Sequence, residues 1–143
     1  NKRRLAPFFN MFRVVLFSLL VYNSYCQNTA LKEIEYHIFS RGYEVIIKMN
    51  KDSTYLTVNN QTEIWKTSSE KWSDLIEISN EINLTELESF EPPTENYAND
   101  ASHGARLIIS TKNKVFESKT FDHENPPAEF QHLVNIILEG LDL

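Results

Sequence analysis

Cysteine is almost missing from this chain: Cys26 is the single one in 143 residues. One thiol closes no intramolecular disulfide, so stability has to come from a hydrophobic core. Glycine is nearly as scarce, at three residues. That scarcity excludes a Gly-rich phosphate cradle, and neither a Walker-type loop nor a GxGxxG turn is present. The GxSxG serine elbow, the HExxH zinc helix and the CxxC pair are also missing, so no signature of catalysis stands in the chain. No run is apolar for the ~20 residues that a bilayer-crossing helix needs. Internal repeats and low-complexity tracts are lacking as well, and one domain is expected.

What is present starts with MFRVVLFSLLVYNSYCQ, Met11 to Gln27. Arg13 precedes nine uncharged, mostly apolar residues, Val14 to Tyr22, and small and polar residues then resume. This is the layout of a secretory signal peptide: a positive start, a short apolar stretch and a cleavage zone. Lys2, Arg3 and Arg4 add to the positive end, as an upstream extension or as part of a longer leader. Cleavage after Cys26 places Ser24 at −3 and leaves Gln27 as the new first residue. A lipoprotein, with Cys26 carrying the lipid, is the alternative, and bulky Tyr25 in front of the cysteine speaks against it. An uncleaved anchor is disfavoured by length, so no transmembrane segment is expected in the processed form. The expected location is secreted or periplasmic.

All twenty acidic residues follow Cys26, against ten of the fourteen Lys and Arg, so the processed part carries a formal charge near −10. Such a surface repels phosphate backbones and anionic lipid, which excludes nucleic acid as an expected partner. It suits cations, a basic protein or a cationic component of the cell envelope. A solvated acidic surface with no partner is the plainer alternative.

Ile34, Tyr36 and Ile38 alternate with polar residues, as do Tyr43, Val45, Ile47 and Met49, which predicts two half-buried strands around Arg41-Gly42. Thr54 to Val58 and Glu63 to Lys66 predict two more, separated by polar turns. Thr67-Ser68-Ser69-Glu70 has the form of a capping box, and Trp72, Leu75, Ile76 and Ile82 follow at helical spacing, predicting a helix over 70–81. Leu84, Leu87 and Phe90 predict a further packed turn before Pro92-Pro93. Arg106 to Thr111 and Val115 to Phe121 form a predicted hairpin about Lys112-Asn113. Asn125-Pro126-Pro127 is expected to open a last helix striped by Phe130, Leu133, Val134, Ile137, Leu138 and Leu141. The expected fold is α+β: an antiparallel sheet of about five to six strands packed by two helices, in the order meander, helix, hairpin, helix.

The longest polar stretch, Glu91 to Gly104, leads into that hairpin, and long loops in small domains carry function or move. Residues paired across a turn at Lys112-Asn113 sum to about 225, and His103 and His123 sum to 226. The two imidazoles are therefore expected opposite each other, or nearly so, just past the last strand pairs, with Asp100, Asp122 and Glu124 around them. A divalent metal on His103, His123 and Asp100, serving a small metal-assisted hydrolase, is one reading of this group. Solvated histidines, with Asp122 and Asn125 as turn and cap residues, are the other. Arg41 either receives a carboxylate ligand or pairs with Asp100 or Asp122 to tie two loops together. Trp72 is expected in the core. Trp65, half exposed on its strand, is a possible anchor for a partner.

Taken together, SRGY at Ser40 to Tyr43, Trp72 with Leu75, NDASHGA at Asn99 to Ala105 and FDHENPP at Phe121 to Pro127 form an ordered set. It resembles a group of short exported bacterial proteins that carry SRG, W..L, D.A and FDH..PP in this order. The resemblance covers most of the chain after the leader; it implies export and a single domain, and no catalytic residue. Glu124 departs from it, because a glycine is expected after the histidine. The expected function is an exported, acidic, non-enzymatic binding or inhibitory module without a cofactor. It would act through the face built by the 91–104 loop and the 122–127 turn.

Overall fold

The computed structural model describes residues 30–141 and 143. The expected leader, Cys26 and the expected processing point lie outside the described residues. Seven strands form one antiparallel sheet: β1 (Leu31–Ser40), β2 (Tyr43–Asn50), β3 (Ser53–Val58), β4 (Gln61–Lys66), β5 (Gly104–Thr111), β6 (Val115–Glu117) and β7 (Phe121–Asp122). They lie in the order β4-β3-β2-β1-β5-β6, with β7 also on β5. Helices α1 (Ser69–Glu81) and α2 (Gln131–Leu138) complete the α+β fold, with 3-10 turns at Leu84–Ser89 and Asn96–Asn99.

Strict alternation decides which face is covered, because neighbouring residues of a strand point to opposite sides. Ile34, Tyr36 and Ile38 of β1 pair with Met49, Ile47 and Val45 of β2, and with Ile109, Leu107 and Ala105 of β5. All nine are buried, in one core with Trp72, Leu75, Leu133, Val134 and Ile137 from the helices. Each fully buried aliphatic side chain contributes about 1.5–3 kcal/mol, which is how the domain holds without a disulfide. The opposite face, with Glu33, Glu35, His37, Lys48 and Arg106, has no helix over it among the described residues.

Two of the meander's three tight turns use left-handed backbone. Arg41-Gly42 joins the pair Ser40 and Tyr43, with Gly42 at φ 78°. Asn59 and Asn60 take φ 45° and 72° between Val58 and Gln61, the left-handed conformations of a type I′ hairpin turn, which asparagine tolerates best after glycine.

Three local expectations need correction. The sheet has seven strands because the returning strand of the hairpin is split. Ser118 causes the break: its hydroxyl accepts the Leu107 amide at 3.0 Å while its own amide donates to Leu107 O at 2.9 Å. One extra residue is accommodated there, so paired numbers sum to 225 along β6 and 226 along β7. The cap of α1 is Ser68, whose hydroxyl accepts from the Lys71 amide at 3.1 Å. Thr67 is instead buried, its hydroxyl 2.9 Å from that of Thr54. Lastly, α2 starts at Gln131 and not at Asn125, because each proline of the 126–127 pair biases the residue before it to extended backbone.

Candidate functional site

The extra residue at Ser118 brings His123 into register with His103, whose carbonyl accepts the His123 amide at 2.9 Å. The two histidines therefore face each other past the end of β7, one position away from the pairing that a sum of 225 gives, His103 with Asp122. Their rings have different surroundings. His123 is half-buried, its Nδ1 3.1 Å from the Tyr36 hydroxyl. Tyr36 is fully buried and has no other hydrogen-bond acceptor among the described residues, so the hydroxyl donates and Nδ1 accepts. Burial pulls the His123 pKa below its ordinary value; Glu124 opposes this and His103 adds to it. Burial likewise pushes the Tyr36 hydroxyl well above its ordinary value, with Glu124 adding to the effect. The pair is a neutral imidazole on a neutral phenol.

The His103 ring stands edge-on to Tyr43, with centroids 5.3 Å apart, and its Nδ1 lies 3.6 Å from Glu124 Oε1. Glu124 also accepts from the Ser102 hydroxyl. That bond is the main cause of a Glu124 pKa below the ordinary range; burial opposes it. Glu124, in the place where a glycine was expected, is thus a clasp between the loop and the turn.

Asp122 is the second clasp. The residue is 2% exposed, and its carboxylate accepts the Tyr97 amide at 2.7 Å and the Asn96 amide at 2.9 Å, the first amides of the 3-10 turn. Burial pushes its pKa up, but bonds from Thr94, Asn96 and Tyr97 outweigh that and hold it below the ordinary value. Asn125 donates through Nδ2 to the Thr94 hydroxyl at 3.1 Å. The 94–103 segment is therefore fastened at three points by residues 122–125.

Arg41 and Asp100 meet at 3.3 Å, joining the β1–β2 turn to the loop, with side chains 90% and 62% exposed. Asp100 is the residue that Arg41 ties, and Asp122 is not. Exposed pairs of this kind contribute about 0–1 kcal/mol. Among the described residues, no three His, Cys, Asp or Glu side chains form a group that fits a metal ion. Asp100 is engaged by Arg41 and the His123 Nδ1 by Tyr36, so the structure does not gather the expected ligand trio around one point.

A second polar group went unnoticed in the sequence. On the open sheet face, Lys48 Nζ lies 2.7 Å from Glu35 and 3.9 Å from Glu33, and His37 Nε2 bonds Glu35. Burial raises the Glu35 pKa, but Lys48 and His37 outweigh it and the net shift is downward. Counting outward from Arg41-Gly42 finds this group, because Glu35 pairs with Lys48. No family model matches the chain, and neither a curated protein nor a solved structure matches it.

Proposed function

We propose that this chain is an exported binding module, and that the clasped loop over 94–103 with the turn over 122–125 is its docking face. The observation that carries this reading is the buried Asp122 carboxylate holding two loop amides. A polar loop pinned in this way loses little further freedom on binding, and such preorganisation is what converts a modest surface into affinity. Glu95, Asp100 and Glu124 are exposed on this face, beside the rings of Tyr97, His103 and Tyr43. A basic protein, or an envelope component with cationic groups, complements it. An inhibitory or immunity-type role belongs to the same class.

Export is supported by the signal-like run Val14 to Tyr22, and by the motif resemblance through SRGY, NDASHGA and FDHENPP. The expected cut after Cys26 lies upstream of every described strand and helix. No helix among the described residues is long and apolar enough to cross a membrane. Intact mass on protein from its host should begin at Gln27, in material from outside the cytosol. A cytosolic species retaining Met11 to Cys26 contradicts the export reading.

The docking face has a rival in the acidic stripe Glu70, Asp74, Glu77 and Glu81 of α1. Capture from the host envelope fraction separates them, using a Glu95→Lys/Asp100→Asn variant against a Glu70→Lys/Asp74→Lys variant. Asparagine suits position 100 because Asp100 sits at φ 55°. The account expects the bound partner to be lost with the first variant and kept with the second. The opposite pattern places the site on α1.

A further inference from the structure

The open edge of the sheet points to a second copy of this chain. All six residues of β4 are exposed on both faces, with Ile64 63% and Trp65 38% exposed. These are two of the four large hydrophobic side chains left exposed among the described residues, and they are adjacent on the outermost strand. Natural edges are blunted by proline, charged side chains, bulges, short length or a covering element, and of these β4 carries one acid, Glu63, and one base, Lys66. At the other edge, β6 is three residues long. By contrast β4 has no proline or glycine, and its register on β3 is unbroken from Ser53–Lys66 to Val58–Gln61.

The hairpin geometry states which groups point outward. A two-residue turn is closed by a hydrogen-bonded pair, here Val58 and Gln61, and such pairs then alternate. The amide of Thr67 donating to Asp52 O at 3.3 Å is the continuation of that series. Gln61, Glu63 and Trp65 thus turn their backbone groups to β3, while Thr62, Ile64 and Lys66 turn theirs outward.

We infer that two copies join through antiparallel β4 strands about a two-fold axis at Ile64. A two-fold axis perpendicular to the sheet keeps each side chain on its own face, so only even sums of paired numbers are allowed. A sum of 128 sets Ile64 on Ile64 of the second copy, Thr62 on Lys66 and Glu63 on Trp65. All three outward residues then pair, giving about six main-chain hydrogen bonds. No like charges stand opposite in this register. A sum of 126 sets Glu63 against itself, and a sum of 130 leaves Thr62 unpaired. The charge of the strand supports self-pairing: QTEIWK has one acid and one base, on a chain that is otherwise strongly acidic.

Sedimentation equilibrium under reducing conditions, on protein purified from its host, tests this. A reversible dimer is expected below about 200 μM, tightening as salt rises from about 0.05 to 0.5 M, because screening relieves repulsion between two acidic bodies. Ile64→Lys sets two ammonium groups at the axis and should weaken the dimer by about tenfold or more. Ile64→Cys in a Cys26→Ser background should cross-link through a short bis-maleimide, and Thr57→Cys on β3 should not. This second readout stands if the lysine variant fails to fold. A monomer throughout, or a dimer that ignores both substitutions, overturns the inference. So does association that weakens with salt, which marks a charge-driven contact elsewhere.

Discussion

Tyr36→Phe isolates one bond at the floor of the clasped face. The ring is fully buried against Phe121, with centroids 6.1 Å apart, and that packing survives the change. What disappears is the hydroxyl that donates to His123 Nδ1 at 3.1 Å. A buried bond of this kind is worth about 1 kcal/mol net, and an acceptor left unpaired in a half-buried position adds to the cost. The expected loss is about 1.5 kcal/mol at pH 8, or roughly 6–9 °C in Tm for a domain of this size. The loss should also depend on pH. Burial lowers the His123 pKa, so its contribution to stability is complete above the unfolded value of about 6.5 and is lost as pH falls through the folded value. Donation from Tyr36 favours the neutral ring, so Tyr36→Phe raises the His123 pKa and flattens that decline. Urea unfolding at pH 8 and pH 5 reads both effects: a lower midpoint at pH 8 with unchanged slope, and a smaller difference at pH 5. Equal loss at both pH values, or no loss at pH 8, refutes the assigned donor and acceptor.

Other outcomes follow from the same contacts. Asp122→Asn should speed hydrogen exchange at the Asn96 and Tyr97 amides while leaving that of β1 and β2 unchanged. Because the Asp122 pKa is lowered, its share of stability is present above the unfolded carboxyl value and is lost as pH falls through the folded one. Lys71 Nζ donates to the carbonyls of Glu139 at 2.8 Å and Ile137 at 3.3 Å, capping the end of α2. Lys71→Met should therefore cost about 1 kcal/mol in a chemical melt. Arg41→Ala should change stability by less than about 0.5 kcal/mol, since its pair with Asp100 is exposed; a larger loss means that the tie organises the loop.

Much of the fold was legible because its signals are local and periodic. Ile34, Tyr36 and Ile38 alternate as a one-sided strand must, and the pairs at Arg41-Gly42 and Asn59-Asn60 mark tight turns. Counting outward from Lys112-Asn113 brought His103 and His123 to within one residue of each other, and the extra residue at Ser118 supplied the final register. What stayed hidden depends on tertiary partners. Nothing local says that the Ser118 hydroxyl replaces a ladder partner of Leu107, and that replacement splits the strand. Thr67 resembles a cap until the fold buries it against Thr54. Asp122 resembles an ordinary turn residue until the loop 25 positions away returns its amides to it. The Glu35–Lys48 pair was within reach of the counting applied to the histidines; alternation alone reads such residues as solvated.

The most direct measurement is an amide-resolved NMR titration of the protein with a short oligolysine, which stands in for the cationic groups of the partner. Shift changes should gather at residues 95–103 and 122–125, and weaken in Asp122→Asn, whose loop is released. Changes that follow the Glu70–Glu81 stripe, or scatter evenly over the acidic surface, contradict the claim that the clasped loop is the docking face.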